Sequence, residues 1–208
     1  STQGVSSAAS DVYKRQVAGL GEWGVSEGAV FSNWTTADLS KEISHFANIH
    51  NGLDFGVADP NALIRFDFEP GQKKIYVFEE YYQGNISLEK LYEEVKKRAG
   101  TQLIIGDSAA SQQIIELCRM GLHVVPAVKG PGSIQYGIQW LQGYDIIVDY
   151  RCRNFIREIS NYQWTLDKYG NTTDIPIDAD NHLIDALRYG SEPIPVSYTH
   201  LTLPTILL

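Results

Sequence analysis

Residues 51–82 constrain this chain more than any other stretch, because three strand-like segments follow one another there with only tight turns between them. Residues 51–57 alternate Leu53, Phe55 and Val57 against Asp54 and Gly56, the period of a half-buried strand. Asp59-Pro60-Asn61 then turns the chain, since proline fixes φ and the flanking Asp and Asn accept turn geometry. Residues 62–69 place Ile64, Phe66 and Phe68 on one face and Arg65 and Asp67 on the other. After the turn Glu69-Pro70-Gly71-Gln72, residues 74–82 (KIYVFEEYY) form a third strand rich in β-branched and aromatic residues. Links this short imply an antiparallel meander. A carboxylate in the middle of an apolar strand is costly unless something pairs with it, so Asp54 needs a partner. A divalent metal ion is the expected one.

Beyond residue 82 the period changes. Ser87 is placed to cap a helix in which Leu88, Leu91, Tyr92, Val95 and Ala99 recur at helical spacing, and Gly100 stops it. Residues 102–106 read as a short buried strand ending at Asp107. A helix carrying Ile114, Ile115, Leu117 and Cys118 follows, and then a strand over 123–128. Helices are expected over 133–141, 152–159 and 180–189, an apolar run at 146–148, and a strand at 162–166 leading to a hairpin tip at Gly170-Asn171. A meander followed by alternating helix and strand gives an α/β mixed sheet with helices on both faces. That order resembles the ribonuclease H-like fold.

Composition narrows the class. A hydrophobic content of 43% with 11% aromatic residues describes a folded globular chain. Cys118 and Cys152 show no zinc-ligand spacing and point to a reducing, intracellular setting. The formal net charge of −8 argues against a protein that binds nucleic acid over its whole surface. It leaves room for an enzyme that grips DNA through one local patch while carboxylates hold metal ions. No run is long and apolar enough for a membrane anchor. Residues 1–16 and 191–208 are expected to be non-native tails, because 6–16 (SSAASDVYKRQ) and 195–205 (PVSYTHLTLPT) look like one sequencing adapter translated from opposite strands. Residues 17–49 read as a connector, with Val30, Phe31 and Trp34 docking it, and residues 50–190 as the folded domain.

The acids suggest a site. Asp107 lies at the carboxyl end of its strand, where ligands of α/β sheets collect, although a turn or N-cap aspartate is an equal reading of it taken alone. In the last helix (DADNHLIDALRY) His182 and Asp185 are three residues apart and share a face, while Leu183, Ala186 and Leu187 turn to the core. Asp180 reads as the cap of that helix, with Asp178 just before it. Phosphodiester hydrolysis needs a deprotonated water and a stabilised leaving oxygen, and two hard cations about 4 Å apart provide both. Asp54 suits the bridging position, with Asp107 and Asp185 each completing one shell. The oxygens of the three acids are then expected within metal-bridging range. His182 could ligate, orient water or carry a proton near neutral pH.

Five pieces in order resemble the nuclease domain of the large terminase subunit of tailed bacteriophages and prophages. They are GEWG (21–24), LDFG (53–56), IIGDSA (104–109), AVKGPGSIQYGI (127–138) and DNHLIDALRY (180–189). The resemblance implies a ribonuclease H-like, metal-dependent endonuclease that cuts concatemeric DNA during capsid packaging, with two Mg2+ or Mn2+ ions. It implies Asp54, Asp107 and Asp185 as acidic metal ligands and His182 as the accompanying catalytic histidine. Lys129 matches a lysine on a loop beside the site, expected to touch DNA phosphate. The implied partners are double-stranded DNA, the terminase ATPase domain, the small subunit and the portal, in the cytoplasm of a bacterial host. No GxxxxGK[ST] phosphate loop occurs here, so ATP-driven packaging is not assigned to this chain. Two alternatives stay open: a non-catalytic DNA-gripping or docking module of the motor, and another ribonuclease H-like nuclease such as a junction resolvase. LDFGVAD also resembles the first phosphate loop of actin-like ATPases, but Asp107 is followed by Ser-Ala-Ala rather than by a glycine-rich loop.

Overall fold

The structure, a computed structural model, describes residues 28–56 and 58–194. The meander is present as β2 (Ile49–Asp54), β3 (Asn61–Glu69) and β4 (Lys74–Gln83), paired antiparallel in sequence order. Two further strands, β5 (Leu103–Gly106) and β6 (His123–Pro126), extend it in parallel from β2. On the other side β7 (Asp145–Asp149) runs parallel to β4, and β1 (Trp34–Ala37) runs parallel to β7. The result is one seven-stranded mixed sheet ordered β1-β7-β4-β3-β2-β5-β6. A separate hairpin, β8 (Trp164–Leu166) and β9 (Thr172–Pro176), turns at the expected tip, where Gly170 takes a φ of 84°.

Five helices cover the two faces: α1 (Leu88–Ala99), α2 (Ser111–Arg119), α3 (Ser133–Gln142), α4 (Arg153–Asn161) and α5 (His182–Ser191). One core joins Leu53 and Leu63 of the sheet to Leu91 and Val95 of α1 and Leu117 of α2. The other joins Ile64, Phe66, Ile75 and Val77 to Ile138 of α3, Phe155 of α4, and Leu183 and Leu187 of α5. This division sets the register of β2. A slip by one residue would carry Leu53, worth about 2 kcal/mol when fully buried, out of its core and drive Asp54 into it.

Several boundaries differ from the sequence reading. β2 ends at Asp54 rather than running on to residue 57, so Asp54 stands at the strand's carboxyl end and not in its middle. The chain folds back at once, because a Cβ on Gly56 would lie only 2.1 Å from the Asp59 carbonyl oxygen. β1 lies in the stretch expected to be connector; four residues, WTTA, are too short to show a period. Val30, Phe31 and Trp34 are buried there, as expected of a docked segment. Ser87 accepts a hydrogen bond from the Lys90 amide at 3.2 Å and caps α1, as its position suggested. Asp180 does not cap α5. It has a left-handed φ of 48°, and Asn181 occupies the N-cap position without a side-chain bond. Glu192 accepts from the Val128 amide at 2.7 Å, and Ile194 is in the core, so packed structure continues to residue 194. The proposed tail 1–16, residues 195–208 of the tail proposed for 191–208, and the GEWG piece at 21–24 lie outside the described residues.

Candidate active site

The parallel pairing of β2 with β5 puts two of the acids side by side. Leu53 pairs with Gly106, and the Asp107 amide donates to the Leu53 carbonyl at 2.9 Å, so Asp54 and Asp107 leave neighbouring strands at the same end of the sheet. β6 delivers the next piece: the Ala127 amide donates to the Gly106 carbonyl at 2.8 Å and aims the loop so that Lys129 Nζ reaches Asp107 Oδ1. Asp107 also opens the short turn Ser108–Ala110, accepting from the Ala109 amide at 2.9 Å on Oδ1. The turn and cap reading of Asp107 is therefore realised, at the carboxyl end of its strand.

Helix α5 supplies the other half of the site. It lies against β2 so closely that a Cβ on Gly52 would sit 1.7 Å from the Ala186 carbonyl oxygen, and one on Gly190 would sit 2.9 Å from the Gly52 nitrogen. Two glycines thus let backbone meet backbone. That contact sets His182 and Asp185 above the end of β2. His182 Nδ1 is 3.1 Å from Asp54 Oδ2. An ionised carboxylate can only accept, so Nδ1 carries the proton and Nε2 faces away. Asp185 Oδ1 accepts from Arg188 Nη2 at 3.1 Å, and that guanidinium is buried.

The charges are coupled. Burial holds the Asp54 carboxyl above the usual carboxylate range, the His182 hydrogen bond opposes this, and the charges of Asp185 and Asp107 raise it further. Burial likewise raises Asp185, with Arg188 pulling the other way. His182 is raised above the ordinary imidazole value, chiefly by its bond to Asp54. The structure therefore gathers all five sequence-selected residues, Asp54, Asp107, Lys129, His182 and Asp185, at one end of the sheet. It does not bring the acids within ligating range of one another. Among the described residues no three His, Cys, Asp or Glu side chains stand close enough to hold a metal ion. The reason is visible in their partners, since each acid turns one oxygen to a cation or imidazole: Asp107 to Lys129, Asp185 to Arg188 and Asp54 to His182. Each has a second oxygen for which no protein partner is found among the described residues, and hard carboxylate oxygens of this kind suit Mg2+ or Mn2+.

Sequence reasoning missed Glu158. This buried side chain of α4 accepts from the Leu183 amide at 2.7 Å and the Ile184 amide at 3.3 Å, capping α5 from another helix. Burial lifts its carboxyl to about 7 despite those two bonds. Only the bare N-terminus of α5 hinted at such a group, and no local spacing could locate it. Gly52, Gly137 and Gly190 were missed for the same reason, because a close approach shows only in three dimensions.

A central antiparallel meander extended by parallel strands, with helices on both faces and acids at the strand ends, is ribonuclease H-like architecture. Within that class, the model of the terminase RNase H-like domain matches residues 54–192, and the chain belongs to this family. The terminase large subunit of Bacillus phage SPP1 is 36% identical over 157 residues, covering 73% of this chain and 37% of that protein. The PBSX phage terminase large subunit of Bacillus subtilis (strain 168) is 31% identical over 164 residues, covering 77% of this chain and 37% of its own length. The chain thus spans little more than a third of these relatives. The crystal structure of the SPP1 large terminase nuclease domain with bound Mn superposes with a TM-score of 0.72 at 32% identity, covering 78% of this chain and 97% of that one. The large terminase of a thermophilic bacteriophage shares the fold, with a TM-score of 0.64 at 21% identity over 85% of this chain and 47% of its own.

Proposed function

We propose that the chain is a divalent-metal-dependent DNA endonuclease that cuts concatemeric DNA during genome packaging of a tailed phage or prophage. The observation that carries this reading is that Asp54 of β2, Asp107 after β5 and Asp185 of α5 converge on one end of the sheet, in a relative of a nuclease domain solved with Mn. Asp54, Asp107 and Asp185 would hold two divalent cations, Mg2+ or Mn2+. Bound there, they supply a nucleophile at neutral pH and neutralise charge on the leaving oxygen.

The chain's own residues do the rest. Asp54 fixes the His182 ring through Nδ1, which leaves Nε2 to take up or return a proton at the scissile group. Arg188 holds Oδ1 of Asp185 and so leaves Oδ2 as the oxygen that would take a cation. Lys129 offers its ammonium to a phosphate oxygen. Contacts of this kind carry no base information, so cutting shows little sequence preference. Double-stranded DNA is the substrate; the ATPase domain of the same subunit, the small subunit and the portal are the partners, in the host cytoplasm.

A DNA-gripping module without catalysis is the second reading, favoured by the absence of a preformed metal cluster among the described residues. Nicking of supercoiled plasmid with Mn2+ or Mg2+ separates the two. Loss of nicking in both Asp54→Ala and Asp185→Ala supports the endonuclease. Undiminished activity in both variants ends it.

A further inference from the structure

The three acids are not neutralised in the same way. Arg188, which holds Asp185, is a fixed countercharge: it is 4% exposed, its guanidinium lies 4.7 Å from the Tyr189 ring centroid, and its stem fills the space beside Gly137 of α3. A Cβ on Gly137 would come within 2.4 Å of Arg188 Cγ, so the stem lies close against α3. Lys129, which holds Asp107, is different. Its side chain is 37% exposed, and its ammonium rests 5.0 Å from the centroid of the same Tyr189 ring. The root of its loop is anchored by the amides of Ala127 and Val128, and the Gly130 carbonyl accepts from the Ser133 amide at 3.0 Å as the chain enters α3. These bonds hold backbone and leave the lysine side chain to Asp107 and Tyr189.

From this asymmetry the geometry points to Lys129 as a built-in stand-in cation: its ammonium occupies the Asp107 carboxylate until a divalent ion displaces it, so that metal loading and release of Lys129 are one coupled event. A dication on Asp107 Oδ2, unpartnered among the described residues, would face an ammonium held on Oδ1 of the same carboxylate. Two like charges repel strongly at that separation, and Lys129 is the partner able to leave. Its long stem lets the ammonium swing outward while the methylenes stay on Tyr189. The coupling has a protective consequence. The acid cluster remains compensated without metal, and the cation that would grip a phosphate is set free only when the site can cut. The inference rests on the metal-dependent reading above, and the test keeps the two apart.

The test is calorimetric titration of Mn2+ into the whole chain, without DNA, for wild type, Lys129→Met, Lys96→Met and Asp54→Asn. Methionine keeps the stem against Tyr189 and removes only the charge. Lys129→Met should bind Mn2+ about five- to tenfold more tightly than wild type, the low end of coupling between interacting sites. Lys96→Met should stay within roughly twofold, because Lys96 Nζ donates to the Gly121 carbonyl at 3.3 Å and holds none of the three acids, and a charge away from the cluster is screened. In parallel, acetylation of Lys129 by an amine-reactive reagent, read by mass spectrometry against Lys96, should rise when Mn2+ is added to wild type. Unchanged or weaker Mn2+ binding by Lys129→Met, equal tightening by Lys96→Met, or Lys129 labelling that fails to rise would overturn the stand-in role. Wild-type Mn2+ binding by Asp54→Asn would instead overturn the metal site itself.

Discussion

Gly52→Ala tests the proposition that one backbone contact positions the site. The added Cβ would stand 1.7 Å from the Ala186 carbonyl oxygen, 2.7 Å from its carbon and 2.9 Å from the Gly190 nitrogen. All three are backbone atoms, so no rotamer change relieves the clash. An ordinary contact is about 3.5 Å, which requires α5 to retreat by roughly 1.8 Å from the 1.7 Å approach. His182 and Asp185 travel with that helix, while Asp54 and Asp107 stay with the sheet. Displacements of about 1 Å cost on the order of 100-fold in rate when they separate groups that must act together. Overpacking of this kind destabilises by about 1–3 kcal/mol, which a domain of this size survives. Gly52→Ala should therefore fold, with an unchanged far-ultraviolet spectrum, yet nick plasmid at least about 100-fold more slowly in Mn2+. Gly190→Ala, whose Cβ would meet the Gly52 nitrogen at 2.9 Å and Phe66 Cε1 at 3.0 Å, should be intermediate. Gly71→Ala, with nothing within 4 Å, should match wild type. Nicking by Gly52→Ala within a few-fold of wild type would refute the claim that helix-to-strand spacing sets the site.

Three other outcomes follow from the same geometry. Gly137→Ala should drive the buried Arg188 stem away and loosen its hold on Asp185, lowering the turnover rate of nicking more than apparent DNA affinity; a pure affinity loss would contradict this. Glu158 has a folded value of about 7 against 4.5 unfolded, so its contribution to stability is full below pH 4.5 and is lost as pH rises to about 7. Glu158→Gln keeps an acceptor for the Leu183 and Ile184 amides and should flatten this loss, on the order of 3 kcal/mol in wild type, when urea unfolding is compared across that window; an unaltered slope would disprove it. Asp54 is a buried acid repelled by Asp185 and Asp107, so Asp54→Asn should raise Tm without metal by about 2–4 °C, for about 1 kcal/mol. It should also abolish the further rise given by Mn2+; a lower metal-free Tm would count against the repulsion.

The meander, the first capped helix and the candidate acids were legible in the sequence because each rests on local chemistry. Alternation marks β3, Ser87 and Gly100 bracket α1, and a carboxylate after an apolar strand marks Asp107. What was not legible depends on distance through space. Asp180 has the right chemistry to cap α5, yet the work falls to Glu158, which lies on α4 and reaches two amides of the next helix. β1 carries no periodic signal and is a strand because β7 offers an edge parallel to it.

The same limit explains why the acids converge without touching. Sequence can nominate Asp54, Asp107 and Asp185, but it cannot show that His182, Lys129 and Arg188 each take one of their oxygens. Buried like charges repel, and a chain that must fold without its ions needs internal cations to hold such a cluster together. On this view Lys129 and Arg188 share one purpose before loading and divide it afterwards: the exposed lysine yields to the incoming ion, while the buried arginine stays to aim Asp185. Under the stand-in proposal, Asp107 would trade one countercharge for another while Asp185 keeps its arginine.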